Sequence, residues 1–152
     1  MENKESFFNR LVPFHSPSTI NKIKLAYTLS KWGHQYQVRK EIDDSGNNVR
    51  YFEHPRRVAI NLMDVVKIFD YEIIVGALCH DLLEDSESFT ESMMEQFFGE
   101  ECCRIVKVLS KNPKEGYLER FFMCKDFRPY IIKASDRLDN LQTLINPNTS
   151  KE

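Results

Sequence analysis

Residues 71–85 read Tyr-Glu-Ile-Ile-Val-Gly-Ala-Leu-Cys-His-Asp-Leu-Leu-Glu-Asp, and their reading decides the fold. Taken as one helix from Tyr71 to Asp85, with His80 set at zero on the helical wheel, Glu84 falls near ~40°, Asp81 near ~100° and Asp85 near ~140°. Ile73, Ala77, Ile74 and Leu78 fill the same sector in the preceding turns. A core-facing apolar stripe therefore runs into four ionisable groups. Carboxylates converging on an interior are strongly penalised unless a metal, a cation or hydrogen bonds compensate them. A bound divalent cation is the economical answer; a helix that leaves the core at Cys79 and ends in solvated acids is the alternative, and the wheel alone leaves both open.

Outward from this stretch the chain reads as successive helices. Upstream, Ile20, Ile23, Ala26, Tyr27 and Ser30 recur at helical period over 19–39, and Val58, Leu62, Val65 and Phe69 mark a helix from Pro55 to about Phe69. Between them Asp43 to Asn48 is the most turn-rich stretch, a surface loop or a hairpin tip, with 49–52 a short strand or extended entry. Downstream, Ser88 and Glu91 have capping-box spacing before Met93 and Phe97, with Gly99 as the stop. Cys102, Ile105, Val106 and Leu109 form the face of the next helix. Tyr117 to Cys124 is short, and Pro129 begins a long final helix that Pro147 ends. The expectation is an all-α, compact helical bundle in one domain, preceded by a short, loosely held N-terminal arm.

Composition narrows the function. A chain of 152 residues holds about one domain. Its 21 Lys and Arg against 23 Asp and Glu create no global field toward DNA, RNA or an anionic membrane, so an anionic substrate must be held by local charges. The five glycines are too scattered for a phosphate-cradling loop or a dinucleotide fingerprint. Four cysteines without a Cys-x-x-Cys pair suit reduced thiols in a cytoplasm. No signal peptide and no apolar run of membrane-spanning length is present.

Two distant residues join the acidic stretch. His54 stands immediately before Pro55, and Asp136 lies in the last helix with Asn140 and Thr143 at i+4 and i+7. Each has an ordinary reading: a lone histidine is more often a satisfied hydrogen-bonder, and the Asp136 face lies opposite Ile131, Leu138 and Ile145, which favours exposure to solvent. Together, His54, His80, Asp81 and Asp136 supply two imidazoles and two carboxylates, a donor set suited to Mn²⁺, Fe²⁺ or Zn²⁺.

The order His54…His80-Asp81…Asp136 resembles the signature of the HD phosphohydrolase superfamily. The flanking detail is similar to its RelA/SpoT-homologue branch, the guanosine tetraphosphate hydrolases. The similar stretches are Tyr51 to Pro55, His80 to Ser86, Phe97-Phe98-Gly99 and Lys133 to Leu141, with Asp126 and Arg128 upstream of the last, within about 26–144. The resemblance implies an HD helical bundle over 18–146, with 1–17 as the arm and 147–152 as a tail. It implies one Mn²⁺ held by His54, His80, Asp81 and Asp136, with Glu84 and Asp85 placing or deprotonating the attacking water. The implied reaction removes pyrophosphate from the ribose 3′ position of (p)ppGpp. The Arg39-Lys40 pair matches family positions that contact the guanine and phosphate end, and Asn140 and Thr143 match those that contact the ribose.

Two departures from the family pattern carry expectations of their own. Residues 43–48 are inserted between Arg39-Lys40 and Tyr51, which leaves Arg50 or Lys31 as alternative contacts. The chain ends soon after Leu144, so the site is expected to be more open or to be completed by a partner subunit in a homodimer. No synthetase domain follows, and no alarmone synthesis is expected. The rival readings are an HD phosphohydrolase of another nucleotide, of the NADPH or dNTP type, and a helical module that senses a nucleotide without turnover.

Overall fold

The apolar run at 73–79 becomes the central helix of the molecule. In a computed structural model that describes residues 2–145, this helix is buried all round: Ile74, Val75, Ala77, Leu78 and Cys79 expose 0% of their surface. A helix with no polar stripe must be wrapped by others. The elements that wrap it are, in chain order, α1 (Lys4–Asn9), α2 (Pro17–Gly33), β1 (Val38–Ile42), β2 (Asn48–Arg50) and α3 (Glu53–Asp64) ahead of it. The central helix is α4 (Tyr71–Cys79). After it come α5 (Leu82–Asp85), α6 (Glu91–Phe98), α7 (Glu100–Leu109), α8 (Tyr117–Phe122) and α9 (Phe127–Leu144). The fold is thus all-α apart from one small hairpin, with α4 packed on α2, α3, α7 and α9. Gly76 permits the closest of these approaches, since a Cβ there would lie 2.8 Å from Ile132 Cδ1 of α9 and 3.1 Å from Ile105 Cγ2 of α7. No helix among the described residues is long and apolar enough to cross a membrane.

The segment expected as a loosely held arm is instead part of the core. Asn3 and Ser6 form a capping box at the start of α1, and Phe7 and Leu11 are fully buried, with the Phe7 ring 5.2 Å from that of Tyr27 on α2. Early charges in the sequence obscured this because Glu2 and Arg10 pair with each other at 2.8 Å on the outer side of the helix. Ser16 caps α2 and Pro17 opens it, and the helix stops at Gly33 rather than Arg39. Residues 38–42 turn into a strand that pairs antiparallel with β2. The inserted residues form the tip of this hairpin: Asp43 Oδ1 accepts the Ser45 and Asn47 amides, and Gly46 takes φ +83°.

Three further boundaries differ from expectation. The helix α3 begins at Glu53, so Pro55 stands within its first turn, and it ends at Asp64 rather than Phe69. Thr90, not Ser88, caps α6 by accepting the Met93 amide. The single helix expected over 71–85 is broken at His80 and Asp81, where Asp81 takes φ −100° and ψ −3°. Pro147, expected to end the last helix, and the 147–152 tail lie outside the described residues; α9 has already reached its C-cap at Ile145.

Candidate metal and hydrolase site

The break after α4 directs His80 and Asp81 into a common space with side chains of α3 and α9. His54 Nε2 lies 2.8 Å from Asp136 Oδ1 and 3.8 Å from Asp81 Oδ2. His80 Nε2 lies 3.0 Å from Asp81 Oδ2 and 3.5 Å from Asp136 Oδ1. Four donor atoms from three separate stretches thus meet at spacings close to the ~3 Å separating neighbouring ligands on an ion with bonds of about 2.1 Å. His54, His80 and Asp81 by themselves satisfy the geometry of a shared ion.

Hydrogen bonds on the far side of each imidazole define which nitrogen faces the cluster. His80 Nδ1–H donates to the Ala77 carbonyl at 2.7 Å, and His54 Nδ1–H donates to Asp139 Oδ2 at 2.7 Å. Both Nε2 atoms then turn their lone pairs inward, the arrangement in which a carboxylate or carbonyl behind a histidine orients it for a metal. His80 Nε2 is buried and has no aligned hydrogen-bond partner. An orphaned imidazole nitrogen beside two carboxylates is costly without a cation, and the donor set fits a divalent one. Burial disfavours the charged form of His80, but Asp81 and Asp136 outweigh burial and hold its pKa well above the usual range. Asp81 and Asp136 are likewise held far below the usual carboxylate range, since the adjacent histidines more than offset burial. Carboxylates that draw a proton onto His80 would exchange it for a metal charge.

The residues around the four donors were not assigned roles from the sequence. Asp139 is 1% exposed and also accepts Arg57 Nε at 2.7 Å, and Tyr51 O–H donates to Asp81 Oδ2 at 2.6 Å. Lys133 Nζ lies 3.0 Å from Asp136 Oδ2. The available signals were spacings of three residues: Tyr51 before His54, and Lys133 and Asp139 on either side of Asp136. His34, which lacks helical spacing to the motifs, is buried at the end of α2, its ring 4.7 Å from that of Tyr51 at a tilt of 37° and its Nδ1 3.7 Å from Asp85 Oδ2.

The two carboxylates expected to handle water are placed differently. Asp85 is half-buried, and burial followed by the charges of Asp81 and Glu84 pushes its pKa up to about 6. Such a group accepts protons well near neutral pH. Glu84 is exposed, and its Oε2 accepts the Lys111 amide at 3.1 Å. The turn at His80 and Asp81 breaks the wheel that put Glu84 beside His80.

The expected substrate contacts converge despite the insertion. The hairpin returns β1 to the C-terminal half of α9, so that Arg39 Nη2 donates to Asn140 Oδ1 at 3.0 Å and to Thr143 Oγ1 at 3.3 Å. Arg39, Lys40, Asn140 and Thr143 line one cavity of about 420 Å³ that also includes Tyr51. Arg39 Nε is buried there with no hydrogen-bond partner. A larger cavity of about 1120 Å³ lies between α6, α7 and α8; neither cavity is lined by the four donors, but the smaller one includes Tyr51, whose hydroxyl reaches Asp81. Two of the cations lining the larger one, Arg104 and Lys107, are paired with Asp126 and Glu91. Chemistry, not size, identifies the site.

No protein-family model matches the sequence. Curated relatives do. A guanosine-3′,5′-bis(diphosphate) 3′-pyrophosphohydrolase of Aquifex aeolicus is 34% identical over 139 residues, covering 86% of this chain and 19% of the relative. The bifunctional (p)ppGpp synthase/hydrolase SpoT of Escherichia coli K12 is 33% identical over 149 residues, covering 90% of this chain and 20% of the relative. The chain spans about a fifth of the length of these curated relatives. A solved structure of a metazoan orthologue of SpoT, described as hydrolysing ppGpp and playing a role in starvation responses, matches with a TM-score of 0.71 at 25% identity. The match covers 90% of this chain and 75% of that one.

Proposed function

We propose, from the premise that this chain belongs to the RelA/SpoT-homologue branch of the HD phosphohydrolases, that it is a divalent-metal-dependent (p)ppGpp 3′-pyrophosphohydrolase. The observation that carries the proposal is the meeting of His54, His80, Asp81 and Asp136, with the orphaned His80 Nε2 at its centre, close to the Arg39 cleft. These four residues would hold the ion, and Mn²⁺ heads the metals that suit them. When bound, such an ion supplies Lewis acidity toward water and phosphoryl oxygens.

The chain's own residues supply the rest. Asp85 accepts a proton from the attacking water, and Tyr51 and Asp139 keep Asp81 and His54 oriented through the hydrogen bonds described above. Arg39 and Lys40 bring positive charge to the guanine and phosphate end, and Asn140 and Thr143 offer polar contacts to the ribose. Water attacks the phosphorus attached to the ribose 3′ oxygen, and the P–O3′ bond breaks. The water oxygen stays on the released pyrophosphate, and the departing 3′ oxygen takes up a proton, balancing the one given to Asp85, to become the hydroxyl of GDP or GTP. The four free cysteines suit a reducing, cytoplasmic setting.

Product identification tests the proposal. Purified protein with Mn²⁺, Zn²⁺ or Mg²⁺ is incubated separately with ppGpp, GTP, dNTPs and NADPH. Release of pyrophosphate and GDP from ppGpp, lost on chelation and restored by metal, is the expected result. Turnover of NADPH or a dNTP with ppGpp untouched would overturn the substrate assignment, and absence of any hydrolysis would overturn the enzymatic one.

A further inference from the structure

The outer face of α9 carries Phe127, Ile131, Ala134, Leu138, Leu141 and Ile145, spaced alternately by four and three residues. This is the a/d repeat of a helix that packs along another helix. Most of the face is open to solvent: Phe127 is 63% exposed, Leu138 39%, Leu141 60% and Ile145 81%, while Ile131 is half-buried against the core. Helix α9 buries its opposite face, through Pro129, Ile132, Ser135, Asp136 and Asp139. The patch continues onto α8, where Leu118, Phe122 and Met123 are also exposed. Tyr130 O–H donates to the Phe121 carbonyl at 2.9 Å and ties the end of α8 to the first turn of α9. Scaled by their exposures, the seven large side chains of α8, its C-cap and α9 present roughly 700–900 Å², taking on the order of 150–200 Å² for each when fully exposed. That exceeds the ~300–600 Å² of the largest patch on a typical monomer and reaches the ~800 Å² that each partner contributes to a stable interface.

We propose that this face is the contact between two copies of the chain, with the two α9 helices packed antiparallel about a two-fold axis level with residue 136. The stripe is self-complementary in that register. Phe127 meets Ile145 of the second copy, Ile131 meets Leu141, and the small Ala134 meets Leu138, so that small opposes large at the crossing. The exposed side chains of α8 extend the contact where the far end of the opposing α9 arrives. Because the opposite face of α9 presents Asp136, Asn140 and Thr143, the dimer would brace the helix that serves the site without covering it.

Sedimentation velocity of the whole chain at about 100 µM, well above the micromolar Kd that an interface of this area commonly reaches, tests the proposal. The expected species has twice the 18.0 kDa chain mass. Leu138→Glu and Ala134→Lys, each at an exposed position and each checked for unchanged helicity, should give monomers. The double variant should restore the dimer, because antiparallel pairing sets each new Lys against a new Glu, whereas parallel pairing sets like against like. A wild-type monomer at this concentration, which would leave the face to a different partner, overturns the proposal. So does a dimer that survives Leu138→Glu, and failure of the double variant to re-associate overturns the register.

Discussion

Asp139→Asn separates the site's support from its ligands. The Asp139 carboxylate, 1% exposed, accepts His54 Nδ1–H at 2.7 Å and Arg57 Nε at 2.7 Å. The amide keeps the shape and one acceptor oxygen but loses the charge. A carboxylate behind a ligating histidine fixes its tautomer and raises its basicity, and removing such a partner typically weakens metal binding by about 10–100-fold, or ~1.4–2.7 kcal/mol. Breaking a buried ion pair costs about 3–5 kcal/mol in general. Here Arg57 is partly exposed and retains Glu41 at 2.8 Å, so a stability loss of about 2–3 kcal/mol is expected. In a domain of this size that lowers Tm by about 6–10 °C. Calorimetric titration of the chelated protein with Mn²⁺ gives the affinity, and thermal unfolding of the metal-free protein gives the stability loss. An unchanged Mn²⁺ affinity in a folded Asp139→Asn protein would refute the claim that Asp139 orients His54 for a metal.

Asp85→Asn should retain metal and lower kcat by about 10²–10⁴-fold, with Glu84→Gln costing clearly less because Glu84 is engaged by the Lys111 amide; equal losses in steady-state assays would count against Asp85 as the base. The Asp85 carboxyl, held up at about 6 in the metal-free protein, must be ionised to accept a proton, so kcat/KM should fall on the acid side, with a midpoint below that value once a cation offsets the charge of Asp81. In the metal-free protein the same raised pKa favours the native state at low pH. That contribution is complete below the unfolded value near 4 and is lost as pH rises through 6, so urea titrations across this window should show a flatter pH dependence for Asp85→Asn than for wild type. Gly76→Ala drives a methyl against Ile132 and Ile105 and should destabilise by about 1–3 kcal/mol, read as a lower urea midpoint; an unchanged midpoint would mean that α4 and α9 are not in tight contact there.

Local patterns made much of this protein legible. Apolar residues at helical period located α2, α4 and α7, because burial of one face of a helix writes itself into the order of side chains. The identity of the four donors was legible as well: imidazoles and carboxylates are scarce enough in an apolar setting to stand out. Asp136 shows where such reasoning stops. The wheel of the last helix put Ile131, Leu138 and Ile145 on the apolar side and therefore suggested a buried hydrophobic face and a solvated aspartate. The structure instead buries Asp136, whose burial Lys133 and the two site histidines offset, and exposes Leu138 and Ile145, while Ile131 alone of the three packs on the core.

Glu84 and the hairpin mark the same boundary. One turn at His80 and Asp81 ends the regular rotation on which the wheel depends, so Asp81 joins the cluster of His54, His80 and Asp136 while Glu84 reaches the Lys111 amide. The insertion at 43–48 suggested that Arg39 lay away from the site, but the hairpin returns it to Asn140, 101 residues further along the chain. The sequence by itself therefore determined the helical class and the chemical kinds of the donors, both of which follow from short-range periodicity and composition. Only the tertiary structure decided which carboxylates join the two histidines in one cluster, that Asp139 and Tyr51 hydrogen-bond to its members, and which side of α9 remains open, since each depends on groups that neighbouring elements bring from far along the chain.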